Sequence, residues 1–342
     1  MRSIVYSRTG TSSVLSLADR EPAAPGPGEV RVRVTVSGVN PTDWKARAGS
    51  GQKPAFDEIV PNQDGAGVVD AVGDGVTQLS VGDRVWLYLA QHQRPTGTAQ
   101  EYTVLPAERA VTLPDAVGFD VAASLGVPAM TAHRALTVHE SGPARLSPGS
   151  LDGRVVLVAG GAGAVGHAAI QLAVWAGATV IATISSDEKA ALAKAAGAHH
   201  AVNYRQADAV AQISALAPDG VDHIVEVSLT QNAELDGRVV ANHGSIAYYA
   251  DNGGDQATIP VRPTFAKNVR LQGLLLYTVG QEALSAAAED ITAALRDGAL
   301  PVGEAAGLPL TWFPLHDTAA AHDAVEQGAV GKVLIDVTGD NG

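Results

Sequence analysis

The chain has 342 residues, 46% of them hydrophobic and 17% charged, with a formal charge of -13. It is long enough for two domains and apolar enough to bury a sizeable core, which excludes a disordered chain, and its acidity excludes nucleic acid or an anionic membrane surface as the main partner, because phosphate binding needs a basic face. Cysteine is absent, which excludes disulfides, thiolate metal sites and a cysteine nucleophile.

The first residues carry no apolar signal run, so the expectation is a cytoplasmic protein. Up to about residue 125 the pattern predicts β structure. Short apolar runs at 29–36, 67–72, 83–89 and 101–104 are separated by Gly, Pro and Asp. The alternation Val30-Arg31-Val32-Arg33-Val34-Thr35-Val36 sets valines on one face, as a half-buried strand requires.

Beyond residue 125, apolar strands alternate with helical segments. Strands are predicted at 154–159, 179–184 and 201–203, with helices at 163–175, 187–196 and 206–216. Further strands follow at 223–227, 245–249 and 269–276, and the remainder holds a helix at 281–296 and an apolar segment at 331–337. This alternation predicts a parallel sheet with crossover helices. Residues 155–184 are mostly apolar, but glycines, His167 and Gln171 interrupt them, so strand, turn, helix and strand account for them better than a membrane span.

The strongest local signal is Gly160-Gly161-Ala162-Gly163-Ala164-Val165-Gly166, between a predicted strand and helix. A dinucleotide pyrophosphate must approach backbone N–H groups at a helix N-terminus, where side chains would block it. All seven residues are therefore predicted to bind cofactor. An NAD-preferring site ends the second strand in Asp or Glu; here Ser185 and Ser186 stand instead, with Lys189, Tyr204 and Arg205 following, which favours NADP (NADPH). Asp187 and Glu188 fit the start of the next helix, with Ser186 as its cap.

Taken together, these residues resemble the zinc-free quinone oxidoreductase (zeta-crystallin-like) branch of the medium-chain dehydrogenase/reductase superfamily. The resemblance runs over nearly the whole chain and is carried by 38–43, 65–73, 81–85, 128–132, the glycine turn and 331–333. It implies an α/β fold in which a Rossmann doubly wound parallel sheet, residues 125–277, is inserted in a GroES-like β-rich substrate domain, residues 1–124 and 278–342. The cofactor is then expected between the domains, and a homodimer is expected. The zinc-dependent relatives carry Cys where this chain has Asn40, and a His-Glu pair where it has Gln63-Asp64, so zinc-polarised alcohol oxidation is not expected and no metal is assigned. His199-His200 reads as a solvated pair. None of the seven tyrosines is followed four residues later by Lys, which excludes the short-chain dehydrogenase chemistry.

The resemblance implies Asn40 and Asp43 as the catalytic pair, the Asn40 amide donating to an acceptor oxygen on which negative charge develops. It also implies cofactor contacts from Thr131, Val227, Ser228 and Leu276, with Lys332 reaching a phosphate. Trp44 is open to stacking on a planar acceptor or to a core role. Asn40 is equally readable as a turn residue before Pro41, and Asp43 as a cap. The expected activity is NADPH-dependent hydride transfer to a small-molecule quinone. One alternative is reduction of an enone or enoyl ester, whose entrance Lys45, Arg47 and Lys53 would make basic. The other is a non-catalytic nucleotide- or RNA-binding protein. Specificity is expected to reside in loops 52–59 and 89–98.

Overall fold

The computed structural model describes residues 1–49, 54–140, 142–206 and 208–339; Gln52 and Lys53, named above, lie outside them. The chain divides into two compact units, one built from Met1–Val127 and Pro309–Gly342, the other from Pro128–Leu308.

The first unit opens with the antiparallel pair β1 (Arg2–Val5) and β2 (Ser16–Asp19). In β3 (Glu29–Val39), Val30, Val32, Val34 and Val36 are buried and Arg33 is exposed, the two-residue alternation of a half-buried strand. Pro41 starts α1 (Pro41–Ala48), a position where its missing N–H costs nothing. Then come β4 (Asp64–Val72), β5 (Arg84–Leu87), β6 (Tyr102–Pro106), β7 (Ala110–Thr112), α2 (Phe119–Ala123) and the first turn of α3 (Gly126–Thr137).

The second unit alternates strand and helix: β8 (Val155–Ala159), α4 (Ala164–Trp175), β9 (Thr179–Ile184), α5 (Asp187–Ala195), β10 (His200–Asn203), α6 (Ala209–Leu216), β11 (Val221–Glu226), α7 (Leu229–Val239), β12 (Val240–Tyr248), α8 (Val261–Phe265), β13 (Arg270–Gly273) and α9 (Gln281–Arg296). Its six strands are parallel and run β10-β9-β8-β11-β12-β13 across the sheet. Counted within the unit, that is the doubly wound order 3-2-1-4-5-6. Leu157, Ile181, Ile213, Val221, Ile224 and Ile246 form its apolar core. The chain then returns to the first unit with β14 (Leu310–Pro314), α10 (Thr318–Glu326) and β15 (Lys332–Asp336). β15 pairs antiparallel with β3, completing a sheet of order β14-β15-β3-β4-β5-β7, with β6 also against β3.

The return falls later than the sequence indicates. Residues 278–308 belong with the nucleotide-binding fold rather than the GroES-like unit. Asp290 on α9 receives the Leu146 N–H at 2.7 Å and lies 2.8 Å from His133 Nε2. Gln171 and His167 on α4 bond the carbonyls of Pro301 and Ala306 at 2.9 and 2.8 Å. These side chains satisfy buried groups on both partners, so the segment cannot leave that unit without orphaning them. They also explain why α4 is buried continuously from Gly166 to Ala173 rather than along one stripe. Among the described residues, no helix is long and apolar enough to cross a membrane.

Candidate functional site

The nucleotide cradle forms at the C-terminal edge of the parallel sheet, where β8 and β11 lie side by side and the strand order reverses. Gly160 follows β8 with φ +69°, a left-handed conformation that favours glycine. Gly161 is packed into the interior, where a Cβ would lie 2.8 Å from Ala182 Cβ; at Gly166 it would lie 2.4 Å from the Gly160 carbonyl oxygen. Helix α4 can therefore seat against the turn only because both positions lack side chains. Gly163 is exposed, precedes α4, and offers no capping side chain. The first-turn N–H groups, with Ala164 and Val165 half-exposed, thus face outward at the positive end of the helix dipole. That arrangement fits a pyrophosphate.

The other predicted nucleotide contacts collect around the same sheet edge. Ser185 and Ser186 follow β9, and the Ser186 hydroxyl caps α5 by accepting from the Lys189 N–H at 3.3 Å. Tyr204 is held beside the end of β9 by its N–H to the Ile184 carbonyl. No acidic side chain stands between Ile184 and the cap, so the donor set fits a phosphorylated ribose better than a free hydroxyl. Val227 and Ser228 follow β11. A Cβ on Gly160 would meet Val227 Cγ1 at 3.2 Å, which sets the two turns against each other. Thr131 is buried on α3 and Leu276 is buried in a short 3-10 turn after β13, and among the described residues no hydrogen bond ties either to the cradle.

In the first unit, Asn40, Asp43, Gln63, Asp64 and Lys332 form one buried polar cluster. Asn40 precedes α1; its Nδ2 donates to Asp64 Oδ2 at 2.6 Å and its Oδ1 accepts from Lys332 Nζ at 2.7 Å. Lys332 Nζ also donates to Asp64 Oδ2 at 3.2 Å. Since Lys332 only donates and ionised Asp64 only accepts, the Asn40 amide has one permitted orientation, leaving one N–H to give. Asp64 Oδ1 accepts from the Val127 N–H at 2.7 Å. Burial raises the Asp64 proton affinity, opposed chiefly by Lys332.

Three expectations are corrected here. Lys332 is 2% exposed and committed to Asn40 and Asp64, so it is not a phosphate ligand in this arrangement. Asp43 is a cap: its Oδ2 accepts from the Asn40 N–H at 2.7 Å and its Oδ1 from the Gln63 N–H at 3.1 Å, so both oxygens are engaged by the backbone of the first unit. Arg47 is fully buried, bonded to Glu326 at 2.7 Å and to the Gly10 carbonyl at 3.0 Å, so it lines no basic entrance. Trp44 is half-buried and Lys45 exposed. His199, exposed before β10, accepts the Val180 N–H at its Nδ1. Among the described residues, no three His, Cys, Asp or Glu side chains group as metal ligands.

The comparisons with known proteins follow this division of the chain. Residues 26–115 match the alcohol dehydrogenase GroES-like domain and residues 164–293 the zinc-binding dehydrogenase domain. A quinone oxidoreductase of Rattus norvegicus is 31% identical over 98% of this chain and 97% of its own. The chain belongs to the quinone oxidoreductase family of the medium-chain dehydrogenase/reductase superfamily. A mycobacterial relative solved in complex with NADPH matches with a TM-score of 0.81 at 30% identity, covering 98% of this chain and 100% of that one. An NAD-dependent alcohol dehydrogenase matches with a TM-score of 0.85 at 29% identity, over 98% and 100%. Membership makes this chain an oxidoreductase. The cofactor and the acceptor turn on its own residues.

Proposed function

We propose that this quinone oxidoreductase family member uses NADPH to reduce a quinone without a metal, as a cytoplasmic homodimer. The observation that carries the reading is Lys332 Nζ, 2.7 Å from Asn40 Oδ1 and 3.2 Å from Asp64 Oδ2. At two of the positions where zinc-dependent relatives carry ligands, this chain joins an amide and a carboxylate through an ammonium. A cation is thus built into the chain where those relatives bind one.

NADPH, when bound, supplies the hydride. The α4 N-terminus binds its pyrophosphate, and Ser185, Ser186, Lys189 and Tyr204 receive the phosphorylated ribose. Thr131, Val227, Ser228 and Leu276 serve the nicotinamide half. Asn40 gives its remaining N–H to the acceptor oxygen as negative charge develops there, an interaction stronger in the transition state than before it. Lys332 and Asp64 hold that amide in register. The hydroquinone oxygens take protons from solvent, so no side-chain acid is required. For the homodimer, β13 is an open sheet edge that carries Leu271, 40% exposed, with Leu275, 56% exposed, just beyond it, the kind of edge that a second copy covers.

The test is NADPH consumption with a panel of quinones and enones, each with and without a chelator and repeated with NADH, beside light scattering for the mass in solution. Quinone turnover that prefers NADPH and ignores the chelator supports the proposal. Preference for enones moves the assignment to alkene reduction, and nucleotide binding with no acceptor reduced moves it to a binding protein.

A further inference from the structure

Two buried acids at the nucleotide edge of the second unit have no part in the chemistry above. Glu226 ends β11 and Asp236 lies on α7, 0% and 1% exposed. Glu226 collects donors: the N–H groups of Ser228 and Val227, and the Asn232 amide at 3.0 and 3.2 Å to its two oxygens. Asp236 collects none, since neither of its oxygens has an N–H or O–H donor among the described residues. Its polar contact is the Glu226 carboxyl itself. Two carboxyl groups in hydrogen-bonding contact need a proton between them. Burial raises the proton affinity of Glu226 as well, but there the N–H groups of Ser228 and Val227 and the Asn232 amide oppose it. Among the described residues no donor opposes it at Asp236, so the proton belongs to Asp236. Burial and the neighbouring Glu226 charge accordingly push Asp236 far above the usual carboxylate range. Tyr249, which also senses Glu226, is raised by burial first and by that charge second.

The location gives the pair a role. Val227, directly after Glu226, lies against Gly160 at the reversal of strand order, where a dinucleotide crosses the sheet. The turn after β8 takes the pyrophosphate and the end of β9 the adenosine ribose. The nicotinamide half therefore falls to β11 and the strands beyond it.

We propose that Glu226 and Asp236 act together as a positioning element for the nicotinamide: one buried negative charge, held on Glu226 and bridged by the Asp236 proton, fixes the Val227–Ser228 turn and favours the cationic oxidised ring over the neutral reduced one. This rests on the nucleotide site proposed above. A bound NADPH would supply a hydride with its electron pair and so leave a cationic ring in place of a neutral one. A charge set in advance beside it stabilises that change without reorganisation.

Dissociation constants for NADPH and NADP+ test the proposal on the wild type, Glu226→Gln and Asp236→Asn. In Glu226→Gln, NADP+ is expected to weaken about tenfold more than NADPH, the order expected of one charge several ångströms away at an effective dielectric of about 20. Asp236→Asn, whose amide still donates to Glu226, is the conservative variant and is expected to keep the wild-type ratio. A folded Glu226→Gln that loses both nucleotides equally, or neither, overturns the proposal, because a purely structural role moves both alike. Wild-type protein that binds neither nucleotide overturns the nucleotide site instead. If Glu226→Gln does not fold, infrared difference spectra of the wild type decide. The band of the protonated carboxyl, missing in Asp236→Asn, is expected to shift with NADP+ more than with NADPH, and equal spectra overturn the proposal.

Discussion

Lys332 Nζ stands 3.2 Å from Asp64 Oδ2, with the two side chains 1% and 0% exposed. The net worth of such a pair is small, because desolvation of both ions offsets their attraction, but removing one partner leaves the other charged in a dry interior. Lys332→Met is therefore expected to lower the unfolding free energy by about 3–5 kcal/mol, read from urea denaturation. Adding Asp64→Asn is expected to recover part of that loss, since the buried charge goes with it. Strict additivity of the two changes would mean the side chains do not interact.

Asp43 gives a pH dependence opposite in sign to that of an ion-paired carboxylate. Burial, then the Asp64 charge, raises its pKa from 3.8 to about 8, against N–H bonds from Asn40 and Gln63. Between those values the folded chain holds a proton that the unfolded chain has released, so stability falls as pH rises through the window. The contribution is complete below pH 3.8 and lost above about 8. Denaturation midpoints at pH 5 and pH 8 should differ in that direction, and the difference should shrink in Asp43→Asn. An equal drop in both proteins assigns the effect to another group.

What the sequence made legible follows from how local each signal is. The β3 valines and the glycine turn announce themselves within a few residues, and the predicted and observed elements agree there closely. Helix α7 was missed because Thr230, Gln231, Asn232 and Glu234 dilute its apolar stripe, and one of its buried residues is Asp236. β12 starts at Val240, directly after that helix, and its first half was missed because His243, at φ +60°, interrupts the alternation that a periodicity reading needs. The Asn40–Lys332 bond joins residues 292 positions apart. No spacing rule reaches that far, so the lysine was expected at a cofactor phosphate when it is a centre of the cluster. The return of the chain was misplaced for the same reason: the side chains that bind 278–308 to the nucleotide fold, such as Gln171 and Asp290, lie more than a hundred residues from their partners.

Two glycines of the cradle separate folding from binding. Gly166→Ala would place a Cβ 2.4 Å from the Gly160 carbonyl, and a backbone oxygen cannot move aside without shifting the turn. A loss of about 1–3 kcal/mol is expected, together with a fall in NADPH affinity. At Gly163 the nearest atom to an added Cβ is 3.5 Å away and φ is −86°, so alanine fits. Gly163→Ala is expected to keep its stability and still weaken NADPH, because the methyl stands where the pyrophosphate approaches. Thermal melts with and without NADPH distinguish the two, and a Gly163→Ala protein that binds NADPH normally would put the phosphates elsewhere.

The end of β9 is where cofactor choice can be rewritten. Ile184 closes the strand, Ser185 follows, and Ser186 is already engaged as the α5 cap, so Ser185 is the free position nearest the predicted ribose. An aspartate there would accept hydrogen bonds from a ribose 2′-hydroxyl and repel a 2′-phosphate, and Asp187 and Glu188 would add to the repulsion. Ser185→Asp is expected to lower the ratio of kcat/KM for NADPH over NADH by about tenfold or more, equivalent to about 1.4 kcal/mol of differential stabilisation. Because the substitution touches the adenosine end alone, kcat with saturating NADH should stay close to that of the parent. A ratio that does not move would mean that the 2′ position of the ribose is not read at β9, and that Lys189 and Tyr204 have no phosphate to hold.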